Sequence, residues 1–309
     1  MSKLVTVVMP ARNAAAFIKT SIESILNQTY SNLELIIIND RSTDDTLEII
    51  EQFDDDRIKV LPGNASGISN AFNLALSHAQ GDYLSRCDAD DIYPHDRIET
   101  QVNWLEEHSD YIAVCGVYAS IDKKGRHLIQ YHRDNESKNI DAEFLEQKTI
   151  THYCTFMTRT DSLRAIGGCR EFFVTGEDID LQLRLSGQGK IFFLSKNFYY
   201  YRLHDISITH TQSNSHRVFY ESVARKCHRQ RLLGQNDSVE QGIKMKPDMV
   251  MIDEPHNSST KIFNQLLSQS WYWHKHSNKW RAVLEAAKLI KFYPFRFAAW
   301  KNILLIIIK

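Results

Sequence analysis

The chain has few of the features that assign a sequence to a common class at once. It carries no charge excess: 37 Lys or Arg residues stand against 38 Asp or Glu residues, a formal net charge of −1, which argues against a general nucleic-acid-binding protein. Its five cysteines are scattered without a C-x-x-C pair, which fits reduced thiols in the cytosol better than a disulfide framework. No apolar run is long enough to span a bilayer, and the N-terminal residues enter a strand pattern directly, without a secretory signal.

Two classes of nucleotide-dependent enzyme would need a phosphate loop that is missing here. The first predicted strand ends at Pro10-Ala-Arg-Asn13. A nicotinamide dehydrogenase needs G-x-G-x-x-G at that point, and a sugar-phosphate nucleotidyltransferase needs a glycine-rich, basic loop. A nucleotidyltransferase is nevertheless kept as an alternative function for this chain, because such enzymes contain an α/β sheet and use a metal. A chain of 309 residues can form one large domain or two smaller ones.

Short β-branched runs alternate with segments of helical period in the first hundred residues. The pattern predicts strands over 4–9, 33–38, 57–61 and a segment ending before Asp88, with helices over 14–27 and 66–79. This order predicts βαβ units and therefore a Rossmann-like α/β fold, a mostly parallel sheet flanked by helices. Ligands of such sheets bind at the carboxyl ends of the strands, where Pro10, Asp40 and Asp88 are expected to converge.

The rest of the chain is less regular. We expect a strand over 111–121, a helix over 178–186 and two short strands over 190–194 and 198–202. Residues 211–309 have a mainly helical pattern with a polar break over 235–257. We therefore predict a sheet domain over 1–210 and a helical extension over 211–309. Phe72, at helical spacing, is predicted to lie in the core.

The most informative segment is Arg86-Cys-Asp-Ala-Asp-Asp91, which directly follows a predicted strand. Three carboxylates this close repel each other unless a cation lies among them. In an extended segment Asp88 and Asp90 point to the same side, and two hard oxygen ligands suit Mg²⁺ or Mn²⁺ with open positions for phosphate oxygens. An Asp-rich turn without metal is the alternative. Arg86 could pair with these carboxylates or with a phosphate.

Five motifs in order resemble the family 2 glycosyltransferases of the GT-A fold. They are the opening 5–13, the segments 24–30 and 35–44, the strand and D-x-D over 83–91, Gly176-Glu-Asp178 with Arg184, and the His-containing segment 201–207. The resemblance covers about residues 3–210 and implies the GT-A fold. It also implies a nucleotide-diphosphate sugar as donor, most often with uridine, although dTDP stays open.

The resemblance implies a role for each matching residue. Asp40 would accept a hydrogen bond from the pyrimidine imide N–H. The wall around base and ribose would consist of Pro10, Ala11, Arg12 and Asn13. Arg12 stands where many relatives have an aromatic ring, and a guanidinium can also stack on a base. Asp88 would lie near the ribose, Asp90 would ligate Mn²⁺ or Mg²⁺, and His204 would bind the metal or the diphosphate.

Asp178 is the predicted catalytic base. Inverting sugar transfer needs a carboxylate opposite the leaving group, to take the proton of the attacking hydroxyl. Glu177 would raise the pKa of Asp178 or hold the acceptor. His152 either faces the acceptor or is a buried structural histidine. A non-catalytic nucleotide-sugar-binding protein is the alternative from another class, and a base at the acceptor side argues against it.

The C-terminal segment 279–309 is basic and aromatic. It holds seven Lys or Arg residues, one acid, Glu285, and several large aromatic and aliphatic side chains. This composition resembles an interfacial membrane helix, and the alternative is a helix packed on the protein's own core. Together with the family resemblance, it predicts an enzyme at the inner face of the cell membrane. It would transfer a hexose from a UDP-sugar to a lipid-linked saccharide in O-antigen or capsule synthesis.

Overall fold

The computed structural model of the protein describes residues 2–131, 136–204, 214–246 and 258–308. Within these residues, nine strands form one sheet. The strands are β1 (Val5–Ala11), β2 (Leu33–Asn39), β3 (Ile58–Pro62), β4 (Tyr83–Arg86), β5 (Tyr111–Ile121), β6 (His127–Gln130), β7 (Lys138–Asn139), β8 (Met157–Arg159) and β9 (Lys190–Arg202). Their order is β3-β2-β1-β4-β8-β5-β9-β7, and β6 pairs with β5.

The helices lie between and after the strands. They are α1 (Ile18–Leu26), α2 (Thr46–Glu51), α3 (Ile68–His78), α4 (Arg97–Glu107), α5 (Asp141–Leu145), α6 (Thr160–Ala165), α7 (Glu177–Leu185), α8 (Asn214–Leu232), α9 (Ser258–Lys275), α10 (Lys279–Phe292) and α11 (Phe297–Ile308). A single 3₁₀ turn over Tyr153–Thr155 precedes β8. The predicted α/β class with a helical C-terminal part is confirmed.

The first four strands form the parallel part of the sheet. β1 pairs in parallel with β2 and with β4, and β2 pairs in parallel with β3. Beyond β4 the pairs β4–β8, β5–β8 and β7–β9 are antiparallel. The side chains of β1 and β2 are almost all buried, as expected for central parallel strands covered on both faces.

Hydrophobic layers cover both faces of the sheet. One layer joins Val8, Ile36 and Leu84 to Phe72 of α3, which is fully buried as predicted and packs edge-on against Tyr153 with ring centroids 6.2 Å apart. The other layer includes Val7 and Ile22. All five cysteines are buried and free of disulfides.

One predicted strand pair was wrong. Residues 190–194 and 198–202 belong to the single strand β9, which runs for 13 residues from Lys190 to Arg202. Its half-buried middle, Ser195-Lys-Asn197, has the polar composition of a turn. Two contacts with neighbouring segments stabilise the extended conformation there. Ser195 donates its backbone N–H to Ser137 Oγ at 2.9 Å, and Lys196 pairs with Asp96 at 2.8 Å.

The described residues divide into two compact units. The first comprises residues up to 118, 136–201 and 214–246, and the second comprises 119–131, 202–204 and 258–308. In the second unit, α9, α10 and α11 pack around Ala282, Ala286 and Ile306. No helix in the described part of the chain combines the length and apolarity needed to cross a membrane.

Candidate active site

The loops that follow β1 and β2 are tied to each other by polar contacts. Asn13 adopts a left-handed conformation, with φ 51°. Its Oδ1 accepts the backbone N–H of Thr43 at 2.8 Å, and its own N–H donates to Ser42 Oγ at 3.1 Å. Pro10 and Ala11 lie at the end of β1, and Arg12 is exposed beside them. The four residues predicted to surround the base therefore form a rim at the end of β1, in which Asn13 is fixed by the loop after β2.

Asp40 lies directly after β2, beside the end of β1. Its backbone N–H donates to Ala11 O at 2.8 Å, and its buried Oδ1 accepts the N–H of Ala65 at 2.6 Å. A Cβ on Gly63 would lie 2.5 Å from that same Oδ1, so only glycine lets the backbone approach so closely. The carboxylate of Asp40 is held at the carboxyl edge of the sheet.

Arg86, the last residue of β4, is buried and joins two acidic segments. Its Nε donates to Asp88 Oδ1 at 2.7 Å, and a second nitrogen donates to Asp88 Oδ2 at 3.2 Å. The remaining nitrogen donates to Glu177 Oε1 at 3.1 Å. A guanidinium is suited to this, because its planar fork carries donors in several directions. The D-x-D segment and the Glu177-Asp178 pair therefore meet at one cation.

Burial and the charge of Arg86 have opposite effects on the pKa values of Asp88 and Glu177. Burial alone would raise the pKa of Asp88, but the charge and hydrogen bonds of Arg86 outweigh it, and the pKa lies below its usual value. Burial raises the pKa of Glu177, Arg86 opposes this, and the neighbouring charge of Asp178 adds to the increase. Glu177 therefore holds its proton more readily than an ordinary glutamate.

The N-terminus of α7 presents Glu177 and Asp178. The helix begins after Gly176, whose φ of 69° is strained for any other residue. Acids in the first helical turn are stabilised by the helix dipole, and this helix carries Glu177, Asp178 and Asp180 there. Asp180 is bound by Arg170 and Arg184, whereas Asp178 is half-buried. Of the three acids, Asp178 is therefore the one that is partly accessible to solvent and is not bound by Arg86, Arg170 or Arg184 in these ion pairs.

His152 is half-buried near both acidic segments. Its Nδ1 accepts the backbone N–H of Cys154 at 3.2 Å, so the neutral ring carries its proton on Nε2. Burial lowers the pKa of His152, while the charges of Asp178 and Asp88 raise it. The ring stacks on Tyr199 with centroids 5.9 Å apart, and the Tyr199 hydroxyl accepts the backbone N–H of Asp88 at 3.0 Å. His152 thus lies within electrostatic reach of both Asp88 and Asp178.

The predicted metal ligands can be compared with what the structure offers. Asp90 is half-buried one residue beyond Ala89, in the same loop as Asp88. Among the described residues, no group of three or more His, Cys, Asp or Glu side chains is placed to hold a metal ion. Mg²⁺ usually binds through only one or two carboxylates plus phosphate oxygens and water, so this donor set fits it. His204 is buried in the second unit, and its metal-binding role stays a prediction.

Sequence reasoning missed the structural role of two polar residues on α4. Arg97 and Gln101 lie one turn apart on α4, and both are fully buried. Arg97 Nε donates to Gln101 Oε1 at 2.9 Å, and the guanidinium lies 3.7 Å from the ring centroid of Tyr93. Gln101 in turn donates to two backbone carbonyls. The period of α4 does not distinguish a solvated face from a buried polar network.

The structure brings most predicted residues of the first unit to one edge of the sheet. Pro10 to Asn13, Asp40 and the D-x-D loop follow the ends of β1, β2 and β4, which are adjacent parallel strands. Arg86 adds Glu177, and with it Asp178, to this edge. The sequence left the partner of Arg86 open, because Glu177 lies 91 positions further along the chain.

Comparison with known proteins agrees with this geometry. The family model "Glycosyl transferase family 2" matches residues 6–167. An uncharacterized glycosyltransferase of Rickettsia typhi is 30% identical over 218 residues, which cover 69% of this chain and 68% of that protein. The chondroitin synthase of Pasteurella multocida is 30% identical over 242 residues, 75% of this chain but 24% of that enzyme.

Solved structures share the fold. The crystal structure of S. aureus TarS in complex with UDP-GlcNAc superposes with a TM-score of 0.61 at 20% identity, covering 93% of this chain and 81% of that one. At this identity the likeness shows the GT-A fold alone. With the family match over more than half of the residues, it leads to one conclusion: the chain is a glycosyltransferase and belongs to glycosyl transferase family 2.

Proposed function

We propose that the enzyme transfers a hexose from a UDP-sugar to a hydroxyl of a glycan acceptor, with inversion at the transferred carbon and with Mn²⁺ or Mg²⁺ as cofactor. One observation carries the proposal: Arg86 donates to Asp88 and to Glu177, so the donor-side acids and the predicted base belong to one site. A non-catalytic binder of nucleotide sugars would have little use for a base at the acceptor side, the role proposed for Asp178.

The donor side is supported by the shape of the carboxyl edge. Asp40, fixed by Ala65 and Gly63, can accept the imide N–H of uracil, which distinguishes pyrimidines with that group from cytosine. The TarS structure with the same fold contains UDP-GlcNAc, which supports a uridine donor here. Arg12, exposed on the rim, would stack on the base.

The diphosphate would lie near the D-x-D loop. Asp90 would hold the cation, with Asp88 close to the ribose and to the same ion. When bound, the cation acts as a Lewis acid that offsets negative charge on the departing nucleoside diphosphate. Because Arg86 binds both oxygens of Asp88, this carboxylate is already oriented before any donor arrives.

The acceptor side would use Asp178 as base. Its carboxylate would take the proton of the acceptor hydroxyl while that oxygen attacks C1 of the donor sugar, opposite the leaving diphosphate. The transition state has oxocarbenium character, as in glycoside hydrolysis. Glu177 would act indirectly: Arg86 holds it, and its charge sets the electrostatic environment of Asp178.

The second unit has an exposed apolar surface, which supports the proposal that the acceptor is lipid-linked. Ala299, Asn302 and Ile306 bury one face of α11. The opposite face is exposed to solvent, and the exposed fraction of Phe297 is 80%. This face also includes Trp300, Leu304, Ile307 and Ile308. On α10, Trp280 is 83% exposed. The segment therefore packs on its own unit through one face and leaves the other uncovered.

Exposed cations lie on the same two helices and on the turn between them. They are Lys279, Arg281, Lys291, Arg296 and Lys301. Aromatic and aliphatic groups flanked by Lys and Arg bind the interface of membranes with anionic lipids. We propose that α10 and α11 place the enzyme at the inner face of the cell membrane, where lipid-linked saccharides are extended. The match to an enzyme named chondroitin synthase supports a role in surface polysaccharide synthesis, such as O-antigen or capsule.

The membrane surface predicts a specific loss of binding. The triple substitution Phe297→Ser, Trp300→Ser and Leu304→Ser should abolish flotation with vesicles of phosphatidylcholine and phosphatidylglycerol, because it removes the exposed apolar stripe. Leu145→Ser with Leu233→Ser is the matched control, since both residues are similarly exposed elsewhere. Equal flotation of the triple variant and the unaltered protein would refute the membrane surface.

The proposed chemistry is tested by a donor screen. Purified protein with Mn²⁺ should hydrolyse one of UDP-glucose, UDP-galactose, their N-acetyl forms or a dTDP-sugar, and a chelator should stop the reaction. Asp90→Ala should abolish the metal-dependent part of UDP binding in calorimetry, because it removes the carboxylate proposed to hold the cation. Nucleotide-sugar binding without turnover under all conditions would favour the non-catalytic alternative, and metal-independent UDP binding would exclude the metal role of Asp90.

A further inference from the structure

Helix α8 packs on the N-terminus of α7. A Cβ placed on Gly176 would lie 3.5 Å from the backbone nitrogen of Glu221 and 3.6 Å from Cβ of Tyr220. Glu177 and Asp178 follow Gly176 directly. α8 begins at Asn214, beyond the residues 6–167 that match the family model, so this wall of the site is contributed by a part of the chain outside that match.

Arg217 lies on this helix one turn before Glu221, the residue whose backbone packs against Gly176. Its Nε donates to Glu221 Oε1 at 2.8 Å, and 49% of its side chain is exposed. Burial alone would lower the pKa of Arg217, but Glu221 and the charge of Asp178 raise it. The charges of Arg217 and Asp178 both act on His152 as well. A half-exposed guanidinium therefore lies on the helix that packs against the start of α7, and its charge interacts with those of Asp178 and His152.

Arg217 can change partner without leaving a charge uncompensated. Glu221 also interacts with Arg225, at 3.8 Å, one turn further along α8. If Arg217 moved to a ligand, Glu221 would keep a cation nearby. Arg86 differs, because its donors are used by Asp88 and Glu177 in a buried position.

Aromatic rings complete the surroundings of His152. The ring of Tyr118 lies 5.9 Å from that of His152, and the ring of Tyr201 lies 6.0 Å from it. Both tyrosines are half-buried, so each leaves part of its ring accessible. Aromatic faces next to a few polar groups are the usual lining of a small-molecule site.

We propose that Arg217, Tyr118, Tyr201 and His152 form an acceptor subsite, and that Arg217 binds an anionic group of the acceptor, a phosphate or a carboxylate. The inference rests on the proposed function and specifies its acceptor. An acidic saccharide that approaches Asp178 would be repelled by that carboxylate. A guanidinium beside it offsets the repulsion, and its fork matches both anionic groups.

Direct binding tests the subsite. In the presence of UDP and Mn²⁺, NMR titration should give methyl β-D-glucuronide or glucose 1-phosphate a Kd roughly tenfold lower than that of neutral methyl β-D-glucoside. Comparing the two anionic probes distinguishes a carboxylate from a phosphate. Arg217→Gln should remove the preference, and Arg217→Lys should keep part of it. Arg229→Gln is the control, since Arg229 is exposed on the same helix and donates to Gln147 Oε1 at 3.2 Å.

The outcomes separate this inference from the proposed function. Loss of the anionic preference in Arg217→Gln, with its retention in Arg229→Gln, supports the subsite. Equal binding of charged and neutral probes to the unaltered protein, or a preference that survives Arg217→Gln, overturns it. If the preference is present but no nucleotide sugar is hydrolysed in the donor screen, the proposed transfer reaction fails while the anion site stands.

Discussion

Asp178→Asn is expected to lower the turnover of sugar transfer by roughly 10²–10⁴-fold, because an amide cannot accept the proton of the attacking hydroxyl. The side chain keeps its size and its place in the first turn of α7, so the fold and the donor site should be unchanged. Steady-state transfer at saturating donor measures the loss, and calorimetry with UDP should give the affinity of the unaltered enzyme.

A matched control distinguishes loss of a base from loss of any acid at a helix start. Asp161 occupies the first turn of α6, and 94% of its side chain is exposed. Asp161→Asn should leave turnover unchanged. Unaltered turnover in Asp178→Asn would remove Asp178 as the base, and a parallel loss of UDP binding would assign it to the donor side or to the structure.

Arg86→Lys is expected to lower turnover by roughly 10²-fold, the effect of a misplacement of about 1 Å in a catalytic site. Lysine keeps the positive charge, but its single ammonium cannot bridge Asp88 and Glu177 in the geometry of a guanidinium. Removing the charge altogether would leave buried carboxylates uncompensated at a cost of about 3–5 kcal/mol, so the lysine variant is the one that keeps the fold. Arg159→Lys, at another arginine with three polar contacts, is the control.

The sequence predicted the parts of the fold that depend on local pattern. Buried β-branched runs such as Leu33–Asn39 and helices with one apolar face, such as Ile68–His78, have periods that define them. The boundaries differed by a few residues, because the ends of helices depend on caps and tertiary contacts. The sequence pattern predicted two strands in place of β9 because the polar residues in the middle of this strand have the composition of a turn. Their contacts with neighbouring segments are not visible in the sequence.

The candidate site was predicted where its residues form contiguous motifs. Asp88, Asp90 and Asp178 lie in such motifs, and their strand-end or helix-start positions follow from the local pattern. The link through Arg86 depends on pairing between β4 and α7, which a single sequence does not contain. Arg217 was missed for the same reason: α8 has a polar, irregular pattern, and only the packing at Gly176 shows where it lies.

The contact between Gly176 and α8 has a consequence for chimeric enzymes. The match to the family model ends at residue 167, ten positions before Glu177, and α8 begins at Asn214. A chimera in which only the matched region is exchanged between two relatives would combine the proposed nucleotide site of one enzyme with the α7 and α8 of the other. Swapping the proposed acceptor subsite between two such enzymes therefore requires Gly176 through Leu232 to be exchanged together with Tyr118 and His152 of the matched region.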